Sequence, residues 1–306
     1  MAEVKDVKLV VVGSIGLDTI ETPVERRAEV LGGSVSYACA AASFFVPVGM
    51  VGVVGSDFPR PCLELYNSFG IDVQGLQQVD GETFRWSGVY EADMNRRRTL
   101  ETRLNVYESF SPELPPAYRV SPYLFLGNIS PTLQWHVLAQ MKKPRFVAAD
   151  TMNLWIDTTR KELLKLLKRI QLLLVNESEA LELTGERNLV RAAGKILEYG
   201  PRYVIVKKGE HGAFLFSRSG LFVIPAFPVE EVRDPTGAGD SFAGGFMGAL
   251  ALGGATHEKA IRMAMAYGTV LASFGVEAFS LDRMKGLSRR TITARLNALK
   301  RMVRFA

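Results

Sequence analysis

Cysteine is nearly absent from this chain of 306 residues; Cys39 and Cys62 are the only two. A disulfide framework is thereby excluded, and both lie in apolar or helical contexts that suit a reduced, cytoplasmic setting. Histidine is almost as scarce: His136, His211 and His257 stand apart, without metal-ligand spacing. No apolar run reaches the ~18 residues needed to span a bilayer, so no membrane partner is expected. The mixed-charge start, Met1–Lys8, does not resemble a secretion signal. No G-x-x-x-x-G-K-[ST] occurs, which excludes a P-loop enzyme. After the first apolar run only Gly13-Ser14-Ile15-Gly16 appears, too little for the dinucleotide fingerprint of an NAD-dependent dehydrogenase. Internal repeats and low-complexity segments are missing too.

What the chain does have is enough apolar residue, 47% hydrophobic against 23% charged, to bury a sizeable core. The formal charge is +5, and much of the excess falls late, from Arg283 and Lys285 to Arg301 and Arg304. Without interleaved aromatics or a nucleic-acid motif, this cluster reads as the solvated face of a C-terminal helix, and no nucleic-acid partner is expected. A mildly basic protein favours anionic nucleotides.

Short apolar runs recur along the chain: Leu9–Gly13, Val48–Val54, Tyr123–Leu126, Arg145–Ala149, Leu172–Val175 and Tyr203–Val206. Helical stretches separate them, among them Tyr37–Phe45 and Cys62–Phe69. Continuous apolar strands alternating with helices predict an α/β fold with a parallel sheet covered on both faces. One region departs from this. Thr83–Tyr90 and Arg98–Tyr107 alternate polar with apolar residues around the turn Ala92–Arg96. That pattern predicts a hairpin with one wet face. Joined by residues around Thr19–Glu29, it is placed to form a small separate sheet, either a lid over a site or a plain edge hairpin.

The most informative segment is Asp234-Pro235-Thr236-Gly237-Ala238-Gly239-Asp240, followed by an apolar, small-residue run, Phe242–Leu252, that reads as a buried helix. A helix start offers unpaired N–H groups and the positive end of a macrodipole. Gly237, Ala238 and Gly239 leave room for an anion to reach them. A carboxylate at Asp240, beside an anion hole, suits the abstraction of a proton from a hydroxyl that then attacks phosphorus.

Four motifs spread over nearly the whole chain resemble the PfkB (ribokinase-like) kinase family. They are Leu31-Gly32-Gly33-Ser34, Asn176-Glu177-Ser178-Glu179, Lys207-Lys208-Gly209-Glu210-His211-Gly212 and Asp234–Asp240. The resemblance implies a single domain over residues 1–306, a ribokinase-like three-layer sandwich with a central mostly parallel sheet. It implies a small β-sheet lid formed by about residues 14–32 and 83–107. The implied activity is transfer of the ATP γ-phosphate to a primary alcohol of a nucleoside or a free sugar, with Asp240 as general base and Gly237, Ala238 and Gly239 as anion hole. Asp18, Gly32, Gly33, Ser34 and Asn128 are the implied acceptor contacts. Asn176, Lys207, Lys208, Gly209, Gly212, Pro225 and Gly268 are the implied nucleotide contacts, although the family often carries a hydroxyl where Lys207 stands. Glu179 would face Mg²⁺ through water, and Asp234 and Thr236 a monovalent cation such as K⁺. A homodimer through the lid strands is a further expectation, and a non-catalytic sensor of nucleotide or sugar is the alternative of another class. From the residues themselves, Asp18 is either an anchor for adjacent hydroxyls or a turn cap, and Asn176 caps the helix that follows it.

Overall fold

A computed structural model of the chain describes residues 6–304. Thirteen strands and ten helices are named here in chain order. The strands are β1 (Leu9–Val12), β2 (Gly16–Glu21), β3 (Arg26–Gly32), β4 (Val48–Gly55), β5 (Asp72–Val79), β6 (Phe84–Tyr90) and β7 (Arg97–Arg103). Then come β8 (Tyr123–Leu126), β9 (Phe146–Asp150), β10 (Leu172–Asn176), β11 (Tyr203–Lys207), β12 (Ala213–Ser217) and β13 (Gly220–Ile224). The helices are α1 (Ser34–Ser43), α2 (Arg60–Ser68), α3 (Pro131–Gln140), α4 (Asn153–Thr158) and α5 (Arg160–Leu167). They continue with α6 (Glu177–Thr184), α7 (Leu189–Glu198), α8 (Ala238–Gly253), α9 (Glu258–Gly275) and α10 (Arg289–Met302).

Nine strands form one sheet in the order β13-β12-β11-β10-β9-β8-β1-β4-β5. From β5 to β11 all neighbours are parallel; β12 and β13 add an antiparallel edge. The apolar runs are continuous because both faces are covered. Leu9, Val11, Met50, Phe125 and Leu174 face one core with Phe246 of α8 and Val270 of α9. Val10, Val12, Leu124, Val175 and Val206 face a second core with Leu163 of α5 and Ile196 of α7. The result is a three-layer helix–sheet–helix sandwich, the architecture that the resemblance implies.

A second sheet has the order β3-β2-β6-β7. Its two hairpin pairs are antiparallel, and β2 runs parallel to β6 across the middle. Period-two alternation places Asp18, Trp86, Tyr90 and Arg97 on one face, since Asp18 is in register with Trp86 and Tyr90 with Arg97. The expected strand Arg98–Tyr107 ends at Arg103, and Asn105–Ser109 closes into a 3₁₀ turn.

Most of the C-terminal basic cluster is the solvated face expected of it, with Lys285, Arg289, Arg290, Lys300, Arg301 and Arg304 exposed; Arg295 is the exception. Arg295 is largely buried, with its guanidinium 3.5 Å from the Phe274 ring centre and 2.6 Å from Glu277 Oε1. Arg289 donates to the carbonyl oxygens of Phe44 and Phe45. Both arginines fasten α10 to the sandwich. Among the described residues no helix is long and apolar enough to cross a membrane.

Candidate active site

The strands β1, β8, β9, β10 and β11 all end at one rim, where open α/β sheets bind ligands. Helix α8 begins above that rim. It starts at Ala238, four residues earlier than the apolar run beginning at Phe242 suggests, so Asp240 lies in its first turn. Gly237 is the N-cap with φ 73°, a left-handed conformation. A Cβ there would also strike the Tyr37 ring. Glycine is required at this position on both counts. The amide of Ala238 bonds to Pro235 O and that of Ser241 to Gly237 O. The N–H groups of Gly239 and Asp240 meet no acceptor among the described residues and point out of the helix end. Together with the macrodipole they make an anion cradle.

Lys207 reaches this tip from the end of β11. Its Nζ would lie 3.2 Å from a Cβ placed on Gly239. The same Nζ bonds to Asp150 Oδ2 at 2.8 Å. Asp150 ends β9, and Gln134 Nε2 donates to its carbonyl at 2.9 Å. Sequence reasoning missed Asp150, although it directly follows the apolar run ending at Ala149. Lys208 points to the other face of the strand and pairs with Glu177 Oε1 at 2.7 Å.

Asn176 and Glu179 form a reciprocal capping box on α6: each side chain accepts the other's backbone N–H at 2.8 Å. Glu179 is buried, and burial raises its carboxyl, opposed by the nearby Lys207. Two carboxylates, Asp150 at the end of β9 and Glu179 in the first turn of the helix that follows the adjacent β10, thus stand near the cradle. An all-oxygen set of this kind, with one Glu179 oxygen not engaged by the cap, fits a Mg²⁺ ion that keeps most of its own waters.

Asp18 lies across the cleft on β2. It is almost fully buried, and its Oδ1 has no hydrogen-bond partner. A Cβ on Gly32 would run into Asp18 Oδ2, so the first glycine of the pair makes room for the carboxylate. Gly33, with φ 90°, turns the chain beside Asp18, and its backbone N–H favours the charged form of that carboxyl. Ser34 and Ser14 exchange backbone-to-hydroxyl bonds at 3.1 and 3.2 Å, pinning the start of α1 to the end of β1. Burial, then the neighbouring Asp234, push the Asp18 carboxyl up to about 7. Asp240 is also pushed up to about 7, by burial and then by Asp150, with Lys207 and Arg97 opposing.

In the unfolded chain an Asp titrates near ~3.9, so between about 4 and about 7 the folded state holds more protons at Asp18. The site's contribution to stability is fully present below the lower value and is lost as pH rises through the upper one. Asp18→Asn is therefore expected to raise Tm by about 2–4 °C at pH 8, corresponding to ~1 kcal/mol. The gain should vanish towards pH 4. Thermal unfolding of both proteins over that range checks it, and an unchanged or lower Tm at pH 8 would contradict the buried charge.

Asn128, at the end of β8, accepts from Trp155 Nε1 at 2.9 Å and faces Met152 Sδ. Asp234 is buried; its Oδ1 accepts the Thr236 amide at 2.9 Å and its Oδ2 the Ser280 amide at 3.4 Å. A cavity of about 490 Å³ opens beside the helix tip, lined by Lys207, Gly239, Phe227, Phe242, Thr269 and Val276. Neither Pro225 nor Gly268 lines this cavity: Pro225 is exposed beside Gly212, and Gly268 is buried behind Phe242. The turn between β6 and β7 also reaches this cavity through Asp93, Met94 and Asn95.

Fold and rim together define a phosphotransferase for small molecules, with an anion cradle, a cation and two carboxylates around one cleft. Residues 7–277 match the pfkB family carbohydrate kinase profile. The cytidine kinase of Thermococcus kodakarensis is 31% identical over 251 residues, covering 80% of this chain and 89% of that one. The structure of the nucleoside kinase of Methanocaldococcus jannaschii superposes with a TM-score of 0.78 at 20% identity, over 96% of this chain and 99% of its own. A putative ribokinase II of E. coli in complex with ATP and Mg²⁺ gives 0.77 at 20% identity, over 97% and 99%. The chain belongs to the pfkB family of carbohydrate kinases and is an ATP-dependent kinase.

Proposed function

We propose that this enzyme phosphorylates the primary hydroxyl of a nucleoside. The observation that carries the reading is the pair of buried aspartates facing one cleft, Asp18 with an unpartnered oxygen and Asp240 at the anion cradle. Asp18 accepts hydrogen bonds from adjacent ribose hydroxyls, which gives its bare Oδ1 a partner. The ribose is thereby held with its primary hydroxyl towards α8. Trp86, half-buried and in register with Asp18 on the neighbouring lid strand, supplies a flat apolar surface for the base. Its indole N–H is already engaged by Thr99 Oγ1 at 3.2 Å and one ring face by the Arg97 guanidinium, which leaves the opposite face for stacking. The 31% identity to a cytidine kinase supports the same class.

In the reaction Asp240 takes the hydroxyl proton as the acceptor oxygen bonds to the γ-phosphorus. The bond from that phosphorus to the bridging oxygen of ADP breaks, and ADP leaves with the electron pair. The N–H groups of Gly239 and Asp240, with Lys207, hold the charge on the equatorial oxygens. Mg²⁺, held through water by Glu179 and Asp150, would supply further charge neutralisation on the phosphates. A monovalent cation at Asp234 and Thr236 would reinforce a loop that two amide bonds to Asp234 already hold.

An ATP-consumption screen with Mg²⁺, with and without K⁺, tests the reading over nucleosides and free sugars. A nucleoside is expected to give kcat/KM at least about tenfold above ribose or fructose, a difference of ~1.4 kcal/mol in transition-state binding. A free sugar as best acceptor would replace the nucleoside reading. Nucleotide or sugar binding without turnover would favour a sensor.

A further inference from the structure

Three consecutive arginines, Arg96, Arg97 and Arg98, follow the lid turn, and they are not equivalent. Arg96 is paired outside the cleft, with Glu91 at 3.2 Å and Asp93 at 2.8 Å. Arg98 is in register with Val89, one residue out of phase with the inner face. Arg97 is in register with Tyr90, on the inner face. The Tyr90 hydroxyl accepts from Thr236 Oγ1 at 3.0 Å, and Thr236 directly precedes the N-cap of α8. Two residues before Arg97, Asn95 Oδ1 would lie 3.1 Å from a Cβ on Gly209 of the phosphate loop. Arg97 is therefore flanked by two contacts, one to each side of the anion cradle.

Elsewhere on the lid, Arg85 and Arg103 are held by carboxylates, Arg85 by Asp57 and Glu29 and Arg103 by Glu101. Arg97 has no carboxylate within ion-pair distance among the described residues, and its guanidinium rests 5.5 Å above the Trp86 ring. Its field nevertheless reaches Asp18, Glu179 and Asp240, favouring the charged form of each. Exposed on the inner face beside the Tyr90 hydroxyl and paired with no carboxylate, this guanidinium is free to meet an anion that enters the cleft. A planar fork of N–H donors suits two oxygens of one phosphoryl group.

We infer that Arg97 is a catalytic residue carried by the lid, binding the transferring phosphoryl group of ATP from the side opposite Lys207. This deepens the kinase reading above and rests on it. Because Arg97 sits on the sheet that also carries Asp18, its arrival couples phosphoryl stabilisation to the seating of the acceptor.

The test uses the full chain, ATP with Mg²⁺, and the best acceptor from the screen. Arg97→Met is expected to lower kcat by about 10²–10³-fold, with acceptor KM within about threefold. Arg97→Lys should recover part of the loss, and Arg98→Met should match the wild type. By calorimetry, aluminium fluoride should tighten binding of Mg-ADP to the wild type, and Arg97→Met should lose most of that gain while binding ADP alone normally. A kcat within threefold of wild type in Arg97→Met overturns the inference, as does a change confined to acceptor KM. A wild-type chain that turns over no acceptor removes the kinase reading first, and the inference with it.

Discussion

Asp240→Asn is expected to lower kcat by about 10²–10⁴-fold, the contribution of a positioned base, while KM for ATP changes little. The change is isosteric and keeps the backbone N–H of the cradle, so the anion site survives and only proton acceptance is lost. A pH profile adds an independent check. The base works ionised, so wild-type kcat/KM should rise with pH through about 7, the value to which burial and Asp150 push the Asp240 carboxyl. That acidic limb should be missing from the residual activity of the variant. Equal kcat in the two proteins, or an unchanged limb, would remove Asp240 from the base role.

Lys207→Met carries the second large effect, and it falls on both folding and chemistry. The Lys207–Asp150 pair has side chains only 19% and 6% exposed. Removing the cation leaves Asp150 charged and buried. Breaking a fully buried pair costs about 3–5 kcal/mol; at this half-open rim, about 3 kcal/mol is expected. Urea unfolding measures it. The double variant Lys207→Met/Asp150→Asn removes both charges and should regain most of that stability. It should not regain activity, because the lysine at the helix tip is still missing, and a kcat loss of about 10²–10³-fold should persist. A double variant as active as wild type would show that the pair is only structural.

Much of this site was legible in the sequence because its parts are local. A helix start with Gly237 before Asp240 is written in seven consecutive residues, and the Asn176–Glu179 box in four. The strand ends were also legible, since a parallel strand buried on both faces stops where its apolar run stops. What escaped was long-range. Lys207 and Asp150 are 57 residues apart, and nothing near either one names the other. Tyr90 and Thr236 are 146 residues apart. The lid arginines look alike in sequence, and only the register of β6 with β7 separates the inner one from its neighbours. The basic C-terminal helix is the solvated face its composition suggests except at Arg295, which Phe274 and Glu277 cover from beneath, and composition carries no trace of that one contact. The start of α8 came earlier than expected because small residues at Ala238 and Gly239 accept helical torsions once Gly237 has turned the chain.

The lid owes its secondary structure to itself. Its backbone hydrogen bonds run among β2, β3, β6 and β7, so it can tilt as a rigid plate without melting any of them. What fastens its rim to the body includes a few side-chain contacts, such as Tyr90 to Thr236 and Ser280 Oγ to the Leu31 carbonyl. Buried apolar contacts hold it as well, Ile20 and Tyr90 against Phe279, so swinging it aside would expose apolar surface in addition to exchanging those bonds for ones to water, at roughly 0.5–1.5 kcal/mol apiece. Opening for substrate would therefore cost the contacts at that rim and none of the strand pairing within the small sheet.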